Sequence, residues 1–345
     1  MSDRSFLAIL LTATGLMLVV LIWTAIALTG GPRSAHEPEI ESISNVQLED
    51  IVHRLDDLAM RVGAPATGGA AGLSRSPAQP APGEVLVVFV DEPLPPPATD
   101  STWDRAPVTV VPLQRQDQAM PMLETVTVPE VRVRALTNGR QIAWRVDWDD
   151  PVADYHLDTD LFCDAVALQF PLKANANYKM GDRDFPVQII QWKAIWQKDI
   201  DEHFQDVQDL HPNYWTDLYW FAEGEFPYRV PEAFERTEAL DWFVAYRAGN
   251  PMADLYREHP VQEMIAEGFG TLTNQPIIAS IATGAWADGR WSVVVTRPME
   301  THDPTDYQFR PGTRDVVAFA VWEGGTGNVS GRKQHSQWVV FEVQQ

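Results

Sequence analysis

Val131-Arg132-Val133-Arg134-Ala135, then Asn138-Gly139, then Ile142-Ala143-Trp144-Arg145-Val146-Asp147-Trp148 set two alternating runs on either side of a turn dipeptide. Asn-Gly suits the left-handed backbone of a tight hairpin, and alternation every second residue buries one face of a strand. Asp288-Gly289 repeats the pattern between 277–286 and 291–297. Apolar runs at 85–90, 164–170, 187–192, 316–322 and 337–343 read as further strands, as does 125–134, where Val126, Val128, Val131 and Val133 alternate around one proline. Eight or more short strands with turn signals between them predict a mainly β chain, an antiparallel β-sandwich.

The sandwich is expected to occupy residues 84–345, interrupted over 199–260 by a helical and irregular insertion rich in aromatics at 213–221. Ahead of it, residues 1–30 read as a single transmembrane helix, because 6–29 carries no charge and is long enough to cross a bilayer. Arg4 precedes that run and Glu37, Glu39 and Glu41 follow it, so the positive-inside rule leaves the amino terminus in the cytoplasm and the main domain outside an inner membrane. Ile51, Leu55, Leu58 and Val62 recur at helical steps within an amphipathic stalk, 31–62. Residues 63–83, with Pro65, Gly68, Gly69, Pro77, Pro80 and Pro82, read as a flexible linker.

Thirteen Trp and a 45% hydrophobic content are those of a chain that buries a core. A net charge of −22 repels a phosphate backbone and so excludes nucleic acid as a partner. It fits both salt-adapted solubility and the steering of a basic partner such as a small cytochrome, and does not choose between them. Cys163 is the sole cysteine, which excludes an intrachain disulfide, a Cys-rich zinc site, a Cys-ligated iron–sulfur cluster and covalent haem attachment through C-x-x-C-H. Its apolar surroundings point to a buried structural thiol. Motifs for nucleophilic hydrolysis, zinc proteolysis, phosphate cradling and dinucleotide binding are missing from the sequence. His203 and His211 stand eight apart, and Asp147, Asp149, Asp150, Asp154, Asp158 and Asp160 lack the spacing of a calcium loop. Both groups read as solvated, and Gly268-Phe269-Gly270 reads as a turn.

One segment offers redox chemistry. In Tyr178-Lys179-Met180-Gly181-Asp182, followed at 186–197 by a strand and a Trp-rich helix start, Met180 stands in a Gly-bounded turn. Its thioether is a soft donor suited to iron, and a haem held that way would be non-covalent.

The runs Cys163-Asp164-Ala165-Val166-Ala167-Leu168-Gln169-Phe170-Pro171-Leu172, Met180-Gly181, Pro186-Val187, Gln191-Trp192-Lys193-Ala194 and Trp196-Gln197 occur in that order. After them come Asp206-Val207-Gln208-Asp209-Leu210-His211-Pro212-Asn213, Ala266-Glu267-Gly268-Phe269-Gly270-Thr271-Leu272, Ala318-Phe319-Ala320-Val321-Trp322 and Gly331-Arg332-Lys333. In that order the chain resembles the haem b-binding gamma subunits of the ethylbenzene dehydrogenase family, with those of dimethylsulfide dehydrogenase, selenate reductase and chlorate reductase. The resemblance implies a β-sandwich holding one haem b between a Met and a Lys. It also implies an electron-transfer role without catalysis of its own, beside a molybdopterin catalytic subunit and an iron–sulfur subunit, toward a cytochrome c or a quinone pathway. Met180 matches the methionine ligand.

Of the five lysines, Lys179 adjoins Met180 and Lys173 sits in a polar turn. Lys333, ahead of the last strand, is the preferred second ligand, because a loop from the far end of the sandwich can face Met180 across the ring. Lys193, in the most recognisable motif, is the alternative. The amino-terminal anchor departs from the exported, soluble form of the family. A reading from another class, a carbohydrate-binding sandwich using tryptophans as stacking platforms, makes no use of Met180 or a lysine.

Overall fold

The computed structural model describes residues 83–213 and 237–345. The expected anchor, stalk and linker, apart from Gly83, lie outside the described residues, as does most of the aromatic segment 213–221. Among the described residues no helix is long and apolar enough to cross a membrane.

Fourteen strands form among the described residues: β1 (Val85–Phe89), β2 (Thr109–Pro112), β3 (Gln114–Arg115), β4 (Glu130–Thr137), β5 (Gln141–Asp149), β6 (Ala165–Pro171), β7 (Val187–Lys193), β8 (Val261–Ala266), β9 (Thr273–Asn274), β10 (Ile281–Ala287), β11 (Arg290–Pro298), β12 (Arg314–Trp322), β13 (Gln334–His335) and β14 (Val339–Val343). Helix α1 (Ala194–Asp201) follows β7 directly, and short turns of helix, α2 (Val207–Leu210), α3 (Thr237–Leu240) and α4 (Val244–Arg247), occupy the expected insertion.

Eleven of the strands form one hydrogen-bonded path, β10-β11-β5-β4-β1-β14-β12-β6-β7-β8-β9, with β2 paired to β4, and β13 paired to β12 and β3, beside it. β12 carries the path from one layer to the other: its Arg314–Val317 half pairs with β14, and its Ala318–Trp322 half pairs with β6. The two layers face each other across an aromatic core. Trp144 of β5 lies 5.8 Å from Phe170 of β6, and Trp192 of β7 lies 5.0 Å from Trp291 of β11. Each such ring pair adds roughly 0.5–1.5 kcal/mol beyond its buried area. Of the described tryptophans, Trp103, Trp144, Trp148, Trp192, Trp196, Trp291 and Trp322 are buried, so they serve the core rather than an exposed stacking platform.

The expected all-antiparallel arrangement needs correction. β1 runs parallel to both of its neighbours, β4 and β14, which makes the sheet mixed. Turn chemistry reports only on neighbours in sequence, and β14 lies at the other end of the domain. Both expected hairpins form, but they turn differently. Asp288 and Gly289 both take positive φ, 51° and 73°, as a type I′ turn requires. At the first hairpin the closing pair is Asn138 and Gln141, joined by a 3.2 Å bond, so the loop is Gly139-Arg140. The Asn138 side chain accepts from the amides of Arg140 and Gln141 at 3.1 and 2.8 Å, which moves the turn one residue along. The alternation through Val126 and Val128 does not make a strand; β4 begins just after Pro129, which lacks the N–H a ladder needs.

Candidate functional site

Strands β6, β7 and β12 have unlike faces. Val166, Leu168, Phe170, Ile190, Trp192, Val317, Phe319 and Val321 point into the core between the layers. On the opposite face stand Ala167, Ala318 and Ala320, with Ile189, Gln191 and Lys193, and they line a cavity of about 250 Å³. Alanines at three adjoining positions leave room above the sheet that larger side chains would fill.

Three loops close over that face. The first carries Met180, a buried residue with φ 71°, a backbone conformation costly for any side chain with a Cβ. Its carbonyl accepts from Gly268 at 2.9 Å, which ties it to the second loop. Gly181 follows with φ 66°; a Cβ there would stand 2.5 Å from the Phe185 carbonyl and 3.2 Å from the Val187 side chain, so only glycine fits. Phe269 tops the second loop. Lys333 comes from the third, which runs into β13 and is pinned where the Lys333 carbonyl accepts from Gln116 at 3.1 Å.

The Lys333 amine lies 3.4 Å from the Met180 sulfur, 5.2 Å from the centre of the Trp322 ring and 6.0 Å from that of Phe269. Among the described residues no carboxylate pairs with it. Burial pushes its pKa down to about 8. Lys333 keeps some accessible surface because it lines the cavity, but a wall of sulfur and aromatic carbon solvates an ammonium poorly.

The structure thus brings Met180, Lys333 and Lys193 to one cavity. Lys193 stands apart from the Met180 turn. Gly181 lies against Val187 at the start of β7, and Lys193 ends that strand six residues later, about 20 Å along at strand rise. Its ammonium rests 5.5 Å from the centre of the Trp196 ring. Elsewhere, Lys179 is paired with Asp117 at 2.6 Å, and the Lys173 amine donates to the Asp184 carbonyl at 2.9 Å.

His335, Trp322, Phe269 and Met264 also line the cavity, and sequence reasoning gave none of them a role there. Desolvation pulls the His335 pKa down, and its Nδ1 lies 3.0 Å from the Ser336 carbonyl. The signal for this face was present in the sequence, as alanines alternating with large apolar residues through 165–168 and 318–321.

Most of the other candidates fall into local pairs, but Asp147 and Asp150 are buried rather than solvated as expected. His203 contacts Asp209 and His211 contacts Asp158, at 3.1 and 2.8 Å. Asp147 is paired with Arg145, and Asp149 with Arg132 and Arg290. Among the described residues no group of three or more His, Cys, Asp or Glu is placed to hold a metal ion. Cys163 is buried and its thiol pKa is pushed up, as a structural role requires.

Residues 100–334, more than half of the chain and all three cavity residues singled out above, match the family model described as ethylbenzene dehydrogenase. The chain belongs to the ethylbenzene dehydrogenase family. It is 25% identical over 276 residues to a Haloferax mediterranei protein named "Putative respiratory nitrate reductase heme subunit ORF7", covering 79% of this chain and 76% of that protein. Among solved structures it is similar to a family 9 carbohydrate-binding module of Caldicellulosiruptor kristjanssonii with glucose bound, at 8% identity and a TM-score of 0.36 over 75% of this chain and 94% of that one. The same module with cellotriose gives 9% identity and 0.33, over 75% and 93%. Membership of this family rests on the sequence match, since similarities that low carry no argument.

Proposed function

We propose that this chain is the haem b subunit of a molybdoenzyme complex, with Met180 and Lys333 as the two axial donors. It would relay single electrons between molybdopterin and iron–sulfur subunits and a cytochrome c or quinone pathway. The observation that carries this reading is the contact between a thioether and an amine that has no anionic partner among the described residues, 3.4 Å apart in an aromatic pocket. The heme named for the Haloferax relative supports it.

The donor set suits iron. A lysine ligates only as the neutral amine, and burial already shifts Lys333 toward that form. Met180 and Lys333 would hold the iron from two different loops, with the four-carbon lysine side chain free to adjust its torsions. When bound, haem supplies one-electron redox chemistry, and a thioether donor raises its potential. The protein's part is to fix the sulfur through the Met180–Gly268 bond, to wall the site with Trp322 and Phe269, and to keep acids off its lining.

In this reading the anchor at 1–30 holds the domain outside an inner membrane, and the acidic surface faces a basic electron carrier. The test is reconstitution of the full-length chain with haemin. One low-spin haem per chain is expected. Lys333→Met and Met180→Ala should each change the oxidised and reduced spectra; stoichiometric low-spin haem that survives both substitutions unchanged, or no haem uptake by the wild type, would overturn the assignment.

A further inference from the structure

The charge of the cavity is opposite to that of the chain. Acids outnumber bases by 48 to 26, yet among the described residues no Asp or Glu lines the cavity, while three of the five lysines, Lys179, Lys193 and Lys333, reach it. Two of these have partners. Lys179 is neutralised by Asp117 at 2.6 Å, and Lys333 faces the Met180 sulfur at 3.4 Å. Lys193 has neither a carboxylate nor a hydrogen-bond acceptor among the described residues; its ammonium rests near the Trp196 ring and close enough to the buried Cys163 thiol to act on it.

The strand explains where this charge stands. Ile189, Gln191 and Lys193 alternate onto the cavity face of β7, with Lys193 at the end remote from the Met180 turn. Lys193 opens α1 without capping it: no side-chain cap bond is formed and its backbone is extended, so no local structural task holds the ammonium. An unpaired, half-buried cation on a wall free of acids calls for an anion.

We propose that Lys193 is the anion-binding residue of this cavity and takes a carboxylate at the edge of the bound cofactor, leaving the iron to Met180 and Lys333. The inference rests on the haem reading above. It gives two parts of the cavity different tasks: a donor pair at Met180 and Lys333, and an anion site at Lys193. The Gln191 amide, one step back along the same face, adds a polar neighbour on the way to the ammonium.

Full-length wild type, Lys193→Gln and Lys193→Arg would be titrated with protohaem IX and with its dimethyl ester, following both affinity and spectrum. A hydrogen bond to a charged group corresponds to roughly a 10- to 100-fold change in binding. The expected result is that loss in affinity of Lys193→Gln for protohaem IX with the low-spin spectrum retained, near-wild-type affinity in Lys193→Arg, and wild-type binding of the ester as weak as that of Lys193→Gln. Equal affinity of wild type and Lys193→Gln for protohaem IX would overturn the proposal, as would conversion of the Lys193→Gln spectrum, which would make Lys193 an iron donor. If wild type bound neither porphyrin, the haem reading itself would fall. Should Lys193→Gln not fold, the wild-type preference for the acid over the ester decides alone, and equal binding of the two overturns the proposal.

Discussion

Two buried ionisable sites of opposite sign stand in the same fold, and they are built differently. Asp164, fully buried just before β6, accepts from the Gly324 amide, the Asp154 amide and the Trp291 indole, all at 2.8 Å. Burial, then the neighbouring Asp150 carboxylate, pushes its pKa up to about 7. Asp150, itself raised to about 6 chiefly by burial, leaves one oxygen without a partner among the described residues. Lys333 has no comparable ring of fixed partners; the Met180 sulfur is a weak acceptor. Directed donors from three parts of the chain make Asp164 a structural tie. A buried amine offered only a thioether is left free to bind something else.

Substitutions can break that contrast. Asp164→Ala should cost the most, about 3–5 kcal/mol, because it leaves buried donors unsatisfied, whereas Lys333→Met should leave the cofactor-free protein within about 1 kcal/mol of wild type. Denaturant midpoints of the two variants measure this, and equal losses would erase the distinction. Gly324→Ala should follow at about 3 kcal/mol, since the new methyl would be driven into the Phe162 carbonyl beside the amide that Asp164 holds. Trp291→Phe, which removes a single donor and keeps most of the ring, should cost about 1–2 kcal/mol on the same assay.

A smaller effect depends on pH. The folded pKa of Asp164 lies above its unfolded value, so the folded protein binds the extra proton between the two. The resulting contribution is complete below the ordinary carboxylate range and is lost as pH rises through about 7. His335, with its pKa lowered by burial, works in the opposite direction near its own range. The difference between wild type and Asp164→Asn isolates the aspartate: the advantage of wild type should shrink from pH 4 to pH 7 and then level off. A difference independent of pH would show that Asp164 is ionised in the fold throughout.

Several parts of the molecule were legible locally. The turn at Asp288-Gly289 reads directly from the backbone freedom of those residues, and the alternation through 142–148 identifies the buried face of β5. β8 was obscured by Glu263, a charged residue in mid-strand that is fully buried where it accepts from the Ala279 amide and the Ser280 hydroxyl. The alanines that open the cavity read as ordinary small residues until β6 and β12 lie side by side.

The sequence by itself determined a strand-rich fold, a single cysteine unable to anchor a cofactor covalently, and Met180 as a soft donor in a Gly-bounded turn. Each of these depends on residue type or on neighbours a few positions apart. Tertiary structure decided that β1 lies parallel between β4 and β14, and that Lys333, 153 residues from Met180, brings its amine to that sulfur. It also set Lys193 at the far end of the same wall, although Lys193 is much nearer to Met180 in sequence. The physical reason is the strand between them: β7 carries the chain away from Met180 at about 3.3 Å per residue, while β12 and β13 return Lys333 across the same face.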